Sequence, residues 1–452
     1  MAGPPLSDLR PPALDAAQDY NALLARDPRA ALAQADQLAA DFVRRGVTFD
    51  GGAMRTFLRP HFLLRGEWEQ LRDDGRRLLE LSARVARRAF DGDVERLFAF
   101  LGTPEDEARW VRLESPGPDV VLSRLDAFIA PGGPRFIEIN SDAPAGLGYG
   151  DRMAEAFRAL PCFQEFARRH RVSYQASAGA VVEAVMAAAP PFARSVAIVD
   201  FAEVKTRGDQ AILGEAFGAR GLDCRLADPR EMAVREGALW AGDTRVDVVY
   251  RRAVLSELLE KADEVGAFLQ AYERGMAVFV NSFRCRLSED KAFFAVLTDE
   301  AFASLLGADE QALVARCVPW TRRVAERTTR RGGREVDLLP HVVSHRAELV
   351  LKPAHGYGGR AVLIGDETEP AEWERAVQAA CREPWVVQER VTIPEEVFPT
   401  VETGTLAFSP FKLNANPFYA AGMEVGAVAR ASRDSVINVS AGGGSVPTFV
   451  VG

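Results

Sequence analysis

Two short segments of the sequence carry polar side chains at a spacing that suits metal and phosphate chemistry. Arg124 and Asp126 lie in the first segment, and Glu138 and Asn140 lie in the second. Residues 130–134, of sequence APGGP, separate the segments, and this proline and glycine cluster predicts a five-residue hairpin loop. A loop centred on its middle glycine places Asp126 opposite Glu138 and Arg124 opposite Asn140. Because side chains alternate between the faces of a strand, all four would share one face.

The same register assigns the apolar residues of the hairpin. Phe128 is predicted to face Phe136, and Leu125, Ile137 and Ile139 are predicted to point away from the polar face. The hairpin would therefore have one polar face and one face that packs on the core.

Two carboxylates directly opposite each other repel, so Asp126 and Glu138 destabilise the predicted ladder unless a cation lies between them. Mg²⁺ binds a few carboxylate and amide oxygens and leaves its other positions to water and phosphate. Asp126, Glu138 and Asn140 are therefore candidate metal ligands. An exposed hairpin face, on which these residues and Arg124 form a surface network, explains the same pattern.

Composition narrows the class of protein. The chain has 452 residues, 48% hydrophobic and 26% charged, which is typical of a soluble protein with a large core. A net charge of −9 argues against nucleic acid or an anionic membrane surface as the main partner. Five scattered cysteines without a CxxC pair fit reduced thiols. No signal peptide or long apolar span is evident, so we expect a cytoplasmic protein.

Lysine is rare in this sequence, where arginine serves as the general surface cation. A lysine is therefore expected where a compact point charge suits phosphate oxygens. The lysines are Lys205, Lys261, Lys291, Lys352 and Lys412.

Two downstream segments suit a nucleotide. A predicted strand ends at Lys352 and is followed by a glycine-rich loop, whose backbone N–H groups could contact phosphate. A second predicted strand, residues 386–389, ends in polar groups that a purine ring could meet, and Arg430 could reach phosphate from the last antiparallel segment. A flexible turn and a core strand are the structural alternatives. The candidate residues of the loop and strand are His355, Gly356, Gly358, Gly359, Arg360, Gln388 and Glu389.

Residues 195–282 alternate apolar runs with helical patterns, which predicts a mostly parallel sheet. No GxGxxG follows the first strand, so the usual dinucleotide fingerprint is missing. Arg251 and Arg252 follow a strand at its carboxyl end, where open α/β sheets bind ligands. They are candidates for binding a phosphate or a substrate carboxylate, with a role in capping the sheet edge as the alternative.

The order of these parts resembles that of the circularly permuted ATP-grasp proteins, including the glutathionylspermidine synthase-like group. In that group an Arg-x-Asp strand and a Glu-x-Asn strand precede the nucleotide half, and residues 124–126 and 138–140 match these motifs in this order. Lys291, the Lys-Pro-glycine loop and the VVQE strand resemble the nucleotide half. The resemblance covers the chain from residue 120 onward, and the preceding segment matches no motif.

The resemblance implies an ATP- and Mg²⁺-dependent carbon–nitrogen ligase acting on a small carboxylate and a small amine. The carboxylate would attack the γ-phosphate, and the amine would displace phosphate from the acyl phosphate. An ATP-grasp kinase and a nucleotide-binding protein without turnover are the alternatives. The implied roles are phosphoryl stabilisation for Arg124, Mg²⁺ binding for Asp126, Glu138 and Asn140, and phosphate neutralisation for Lys291 and Lys352.

We therefore expect an α/β (α+β) fold, namely a circularly permuted ATP-grasp fold with a Rossmann-like α/β unit and a helical N-terminal region. The predicted segments are residues 1–110 for the helical region, 111–190 for the metal-binding hairpin with helices, 191–285 for the α/β unit, and 286–452 for the nucleotide-binding lobes.

Overall fold

A computed structural model describes residues 12–356, 361–439 and 442–452 of the protein. The region before the hairpin is mainly helical, and in its longest helix Leu71, Leu78, Leu81 and Val85 recur at helical spacing and are buried. The helices are α1 (Pro12–Arg26), α2 (Pro28–Arg44), α3 (Arg65–Arg88), α4 (Val94–Leu101) and α5 (Glu105–Val111), with strands β1 (Thr48–Phe49), β2 (Gly52–Ala53) and β3 (His61–Leu64) between α2 and α3.

The central sheet joins strands that are far apart in the chain. Its strands are β3, the hairpin strands β4 (Leu122–Ala130) and β5 (Gly133–Asn140), and the later strands β21 (Thr405–Ala420), β22 (Met423–Ser432) and β23 (Gly444–Val451). They lie in the order β3-β23-β22-β21-β4-β5, with β6 (Val172–Ser173) on β23 and β20 (Glu395–Glu402) on β21. Residues 436–439 belong to no strand.

The turn of the hairpin is shorter than predicted. Ala130 pairs with Gly133, so the loop is a two-residue turn and not a five-residue loop. Such a turn, continued regularly, would place Asp126 opposite Ile137. Ile137 has no cross-strand partner, and this β-bulge shifts the register so that Asp126 pairs with Glu138. The predicted polar pairing is present, but a bulge produces it.

The short turn and the bulge also change the apolar assignments. Phe128 pairs with Arg135, and not with Phe136 as predicted. Ile137 lines a cavity, whereas it was predicted to face the core. Leu125 and Ile139 are buried in the core.

The α/β unit has a parallel sheet, as its alternating pattern predicts, with β7 (Ser195–Val199) and β12 (Val248–Arg251) in the middle and β8 (Asp223–Ala227) and β13 (Val278–Val280) at the edges. Its helices are α9 (Arg207–Ala219), α10 (Leu255–Glu260) and α11 (Gly266–Glu273). A three-stranded antiparallel sheet, which the pattern did not predict, consists of β9 (Met232–Arg235), β10 (Ala238–Ala241) and β11 (Thr244–Arg245). Helices α6 (Tyr149–Arg158), α7 (Pro161–Ala167) and α8 (Ala178–Ala187) connect the hairpin to this unit.

A smaller sheet forms the lobe opposite the hairpin. It has the order β14-β19-β17-β18, with β14 (Thr321–Arg323), β17 (Leu349–Pro353), β18 (Leu363–Ile364) and β19 (Trp385–Glu389). Around it lie the hairpin β15 (Thr328–Arg331) and β16 (Arg334–Asp337) and helices α15 (Leu338–Ser344) and α16 (Pro370–Ala380). Helices α12 (Arg286–Glu289), α13 (Phe293–Thr298) and α14 (Ala308–Cys317) lead into the lobe, and Lys291 lies between α12 and α13.

The small lobe has a hydrophobic core separate from the rest of the molecule. Trp373 is fully buried at its centre against residues such as Leu349 and Val387, and its indole N–H donates to the Val342 carbonyl oxygen at 3.0 Å. The stability of this lobe therefore depends on few side chains.

We expect Trp373→Ala to lower the free energy of unfolding of the small lobe by about 3–5 kcal/mol, because it leaves a cavity and an unpaired carbonyl. Hydrogen exchange measured by mass spectrometry should show faster exchange in residues 321–389. The control is Trp240→Ala, at a half-exposed position in the three-stranded sheet. Equal acceleration throughout the chain would contradict a separate core.

Candidate functional site

A cavity of about 800 Å³ lies between the central sheet and the small lobe, and a space of this size suits a small-molecule ligand. The structure brings most of the predicted site residues together on its walls. These are Arg124, Asp126, Glu138, Asn140, Lys291, Lys352, His355, Gly356, Gln388, Glu389 and Arg430. The predicted Gly358, Gly359 and Arg360 lie outside the described residues.

Asp126 is buried between two arginines. Its Oδ1 accepts from Arg124 Nε at 2.9 Å, and its Oδ2 accepts from Arg430 Nη2 at 2.5 Å. Burial raises the pKa of Asp126, but the two guanidinium groups outweigh burial and hold the pKa below its usual value. Asp126 is therefore ionised at neutral pH.

The polar face of the hairpin offers oxygen ligands of the type that Mg²⁺ prefers. Asp126 pairs with Glu138 across the ladder, and Asn140 Nδ2 lies 3.3 Å from Asp126 Oδ1. Among the described residues, no three Asp, Glu, His or Cys side chains are arranged to hold a metal by themselves. The two carboxylates and the amide therefore fit an ion that completes its shell with water and phosphate oxygens.

Lys291 connects the hairpin with the glycine-rich loop. Its Nζ lies 3.0 Å from Glu138 Oε1 and donates to the Gly356 carbonyl oxygen at 2.6 Å. Burial lowers the pKa of Lys291, but the Glu138 carboxylate outweighs burial and raises it. The positive charge of Lys291 thus lies between the two walls of the cavity.

Lys352 is a cation of the cavity whose pKa is lowered. Its Nζ donates to Gln388 Oε1 at 2.8 Å, and Gln388 Nε2 donates to Thr321 Oγ1 at 3.0 Å. Burial lowers the pKa of Lys352 to about 8, an effect that Glu138 opposes and Lys291 reinforces. A neutral acceptor such as Gln388 leaves this charge available for an anion.

His355 anchors the start of the glycine-rich loop. Its Nδ1 lies 2.7 Å from Asp290 Oδ2, and its Nε2 lies 2.7 Å from the Gly102 carbonyl oxygen. Burial lowers the pKa of His355, but the Asp290 carboxylate outweighs burial and raises it. Because both neighbours are acceptors, the geometry fits a doubly protonated imidazolium.

Glu389 is held at the rim of the cavity. Its carboxylate pairs with Arg135 at 3.1 Å and with Arg331 at 3.3 Å. The two guanidinium groups thus balance the negative charge of Glu389.

The structure does not bring Arg251 and Arg252 into the cavity wall. Both side chains are buried, Arg251 against Asp142 and Arg252 against Asp209 at 2.7 Å. Each guanidinium is already paired with a buried carboxylate of the protein. The prediction that the two arginines bind substrate therefore needs correction, because both form internal ion pairs.

Among the cavity residues that the sequence analysis did not select are Asn414, Asn416 and Glu289. Asn414 and Asn416 alternate along β21, and Asn416 Oδ1 accepts from Arg430 Nη2 at 2.7 Å. Glu289 accepts from the Ser141 N–H at 2.5 Å and from the next N–H along the chain. The NxN spacing was the available signal for the asparagines, whereas nothing around Glu289 indicated its long-range partners.

No helix in the described ranges is long and apolar enough to cross a membrane.

The sequence model of one family, circularly permuted ATP-grasp type 2, matches residues 127–432. The chain is similar to a Frankia alni protein whose name assigns it provisionally as glutamate–cysteine ligase 2-3, with 27% identity over 363 residues, 75% of this chain and 39% of the relative. It thus spans less than half of that relative. An uncharacterized protein of Mycobacterium tuberculosis is 25% identical over 475 residues, 96% of this chain and 80% of that protein.

A solved structure has a similar fold. The glutathione synthetase-like effector of Globodera pallida, in its apo form, superposes with a TM-score of 0.62 and 12% identity, over 94% of this chain and 98% of that chain. At this identity the likeness concerns the fold alone.

We expect the Lys352 amino group to lose its proton near pH 8, and Glu138→Gln to lower its pKa further because the carboxylate that stabilises the charge is removed. Acetylation at a series of pH values, followed by mass spectrometry of the Lys352 peptide, measures this. The exposed Lys205 is the reference for reactivity in the same digest. A Lys352 that stays protonated to about pH 10 would contradict the assignment.

Proposed function

Because the chain belongs to the circularly permuted ATP-grasp type 2 family, we propose that it is an ATP- and Mg²⁺-dependent ligase that joins a carboxylate to an amine through an acyl phosphate. Family membership confirms the resemblance seen in the sequence and the α/β ATP-grasp fold. The proposal concerns this reaction class and leaves the glutathionylspermidine substrates aside.

One observation carries the proposal: Arg124, Arg430, Lys291 and Lys352 line the same cavity as the three candidate metal ligands. A carboxylate and the triphosphate of ATP are both anionic, so they approach each other only where positive charge is concentrated. Arg124 and Arg430 supply this charge beside the hairpin, and Lys291 and Lys352 supply it toward the small lobe.

Arg124 is the proposed residue for stabilising the transferring phosphoryl group. Its Nε is bound by Asp126 and its Nη1 donates to the Ala145 carbonyl oxygen at 3.2 Å. Among the described residues, no group accepts a hydrogen bond from its Nη2. This orientation leaves one donor edge for an oxygen whose charge grows in the transition state.

Asp126, Glu138 and Asn140 are the proposed ligands of Mg²⁺. When bound, the ion would neutralise phosphate oxygens and increase the electrophilicity of the phosphorus. The ionised state of Asp126 suits this role.

The small lobe is the proposed nucleotide side of the site. Lys291 and Lys352 would neutralise phosphate oxygens, and Gln388 and the backbone at Glu389 would meet the purine ring. The glycine-rich loop begins at Gly356, which Lys291 holds. Closure of this loop would exclude water, which otherwise hydrolyses an acyl phosphate.

Amino acids are the first substrates to test, because the name of the Frankia alni relative gives glutamate and cysteine. The assay is formation of ADP from Mg-ATP with pairs of amino acids, followed by mass spectrometry of the condensed product. A phosphorylated product formed without any amine would instead support a kinase.

Glu138→Ala should abolish Mg²⁺-dependent ADP formation, since it removes a proposed metal ligand and the partner of Lys291. The matched control is Glu335→Ala, on the exposed strand β16. Circular dichroism shows whether the variant is folded. Normal turnover in folded Glu138→Ala would exclude the metal assignment.

Lys352→Met should weaken Mg-ATP binding by about 2 kcal/mol, as expected for the loss of a charge-assisted contact in a buried site. Calorimetry with a non-hydrolysable ATP analogue measures the affinity, and Lys205→Met is the control for loss of a surface lysine. If the two variants bind equally well, Lys352 does not contact phosphate.

A further inference from the structure

Residues 141–149, of sequence SDAPAGLGY, run from directly after the proposed metal ligand Asn140 to the first residue of α6. We call it the anchored loop. Six of its residues, 142–146 and Tyr149, line the cavity. The loop therefore separates the proposed phosphoryl site from the α/β unit behind it.

Asp209, at the start of α9, holds the second half of the anchored loop. Its carboxylate accepts from the backbone N–H groups of Gly146 at 3.0 Å, Gly148 at 2.7 Å and Tyr149 at 3.2 Å. Arg252 Nη1 lies 2.7 Å from the same carboxylate, and both side chains are buried. A neutral side chain cannot accept so many hydrogen bonds while it also balances a buried arginine.

The glycines of the loop permit this close approach. Gly146 has a φ of +105°, a conformation that residues with a Cβ rarely adopt. A Cβ on Gly148 would lie 2.7 Å from the Asp209 carbonyl oxygen. The backbone can therefore reach the buried carboxylate only with glycine at these positions.

The first half of the loop has separate anchors. The Asp142 carboxylate pairs with Arg251 and accepts from the Leu255 N–H at 3.0 Å. Glu289 accepts from the backbone N–H groups of Ser141 and Asp142. The loop is thus fixed on both sides of residues 143–145.

The fixed segment carries the second contact of Arg124. The Ala145 carbonyl oxygen accepts from Arg124 Nη1 at 3.2 Å, while Asp126 binds Nε. Two contacts on different nitrogens set the plane of the guanidinium, whereas one contact leaves it free to rotate. Gly146, the next residue, is bound directly by Asp209.

We propose that Asp209 and Arg252 are positioning residues, which act through the anchored loop to orient the guanidinium of Arg124. The proposal rests on the proposed function, in which Arg124 stabilises the transferring phosphoryl group. It gives Arg252 a role in the site although Arg252 does not line the cavity. Such indirect orientation matters because small displacements of a charged donor strongly reduce transition-state stabilisation.

A double-mutant cycle tests the proposal, with kcat and KM for Mg-ATP measured in a mixture of the common L-amino acids. Asp209→Asn should lower kcat about tenfold with little change in KM, because Arg124 acts mainly in the transition state. The same substitution in an Arg124→Met background should have no further effect on kcat, since the group that it positions is already absent. Additive losses would overturn the proposal.

The matched control is Asp247→Asn. Asp247 also accepts backbone N–H groups, from Arg194 at 2.8 Å and Ser195 at 3.2 Å, but at the amino end of the parallel sheet, away from the cavity. It should leave kcat unchanged. A similar fall in kcat for the control would show a general loss of stability and would overturn the proposal.

A second variant keeps the test decisive if Asp209→Asn does not fold. Arg252→Lys retains the positive charge and leaves every acceptor of the loop in place, so the same cycle with Arg124→Met applies. We expect a smaller fall in kcat that again disappears without Arg124. A fall that persists in the Arg124→Met background would overturn the proposal.

Binding provides a readout besides turnover. Mg-ADP with aluminium fluoride mimics the transferring phosphoryl group, so Asp209→Asn should weaken its binding about tenfold and leave Mg-ADP binding unchanged. Equal weakening of both would overturn the positioning role. If Arg124→Met alone leaves turnover and aluminium fluoride binding unchanged, the proposed role of Arg124 in the reaction is wrong. Additive losses in the double-mutant cycle would instead exclude only the positioning role of Asp209 and Arg252.

Discussion

Repulsion between two carboxylates is the constraint around which the cavity is arranged. Asp126 and Glu138 face each other across one rung of the β4–β5 ladder. Like charges in this position destabilise a sheet, and partial burial strengthens their repulsion. Without a metal ion, the protein offsets the repulsion with Arg124, Arg430 and Lys291. The same cations suit the phosphates that an ATP-grasp protein binds. One set of side chains would therefore balance the two carboxylates in the free protein and the phosphates in the proposed complex.

The buried ion pairs behind this cavity serve a different purpose from the exposed ones on the surface. A buried pair contributes little net stability because both charges lose water, but it fixes geometry when both partners also bind the backbone. Asp209 and Asp142 meet this description, since each accepts backbone N–H groups as well as pairing with an arginine. Rigid support of this kind is what a site needs if its charged donors are to be oriented before the substrate arrives.

Sequence patterns predicted the polar hairpin and the parallel α/β sheet, because each depends on local alternation and on loop-forming residues. They did not predict the bulge at Ile137. The bulge restores the pairing of Asp126 with Glu138 after a two-residue turn, and composition alone does not define the length of that turn. They also misplaced Arg251 and Arg252. The sequence showed that both arginines follow a strand. The aspartates that pair with these arginines are distant in the chain, and only the fold brings each pair together. Long-range pairing of this kind leaves no periodic signal.

The pairing of β4 with β21 has a consequence for how the protein is made. Ala127 is synthesised long before its partner Ala415, so the edge of β4 that β21 later covers is open during most of translation. Open edges can pair with other chains, and contacts between distant residues form slowly because a long loop must close. The polar face that would bind metal is therefore completed late, and until then its unbalanced charges also discourage the edge from joining a neighbouring chain.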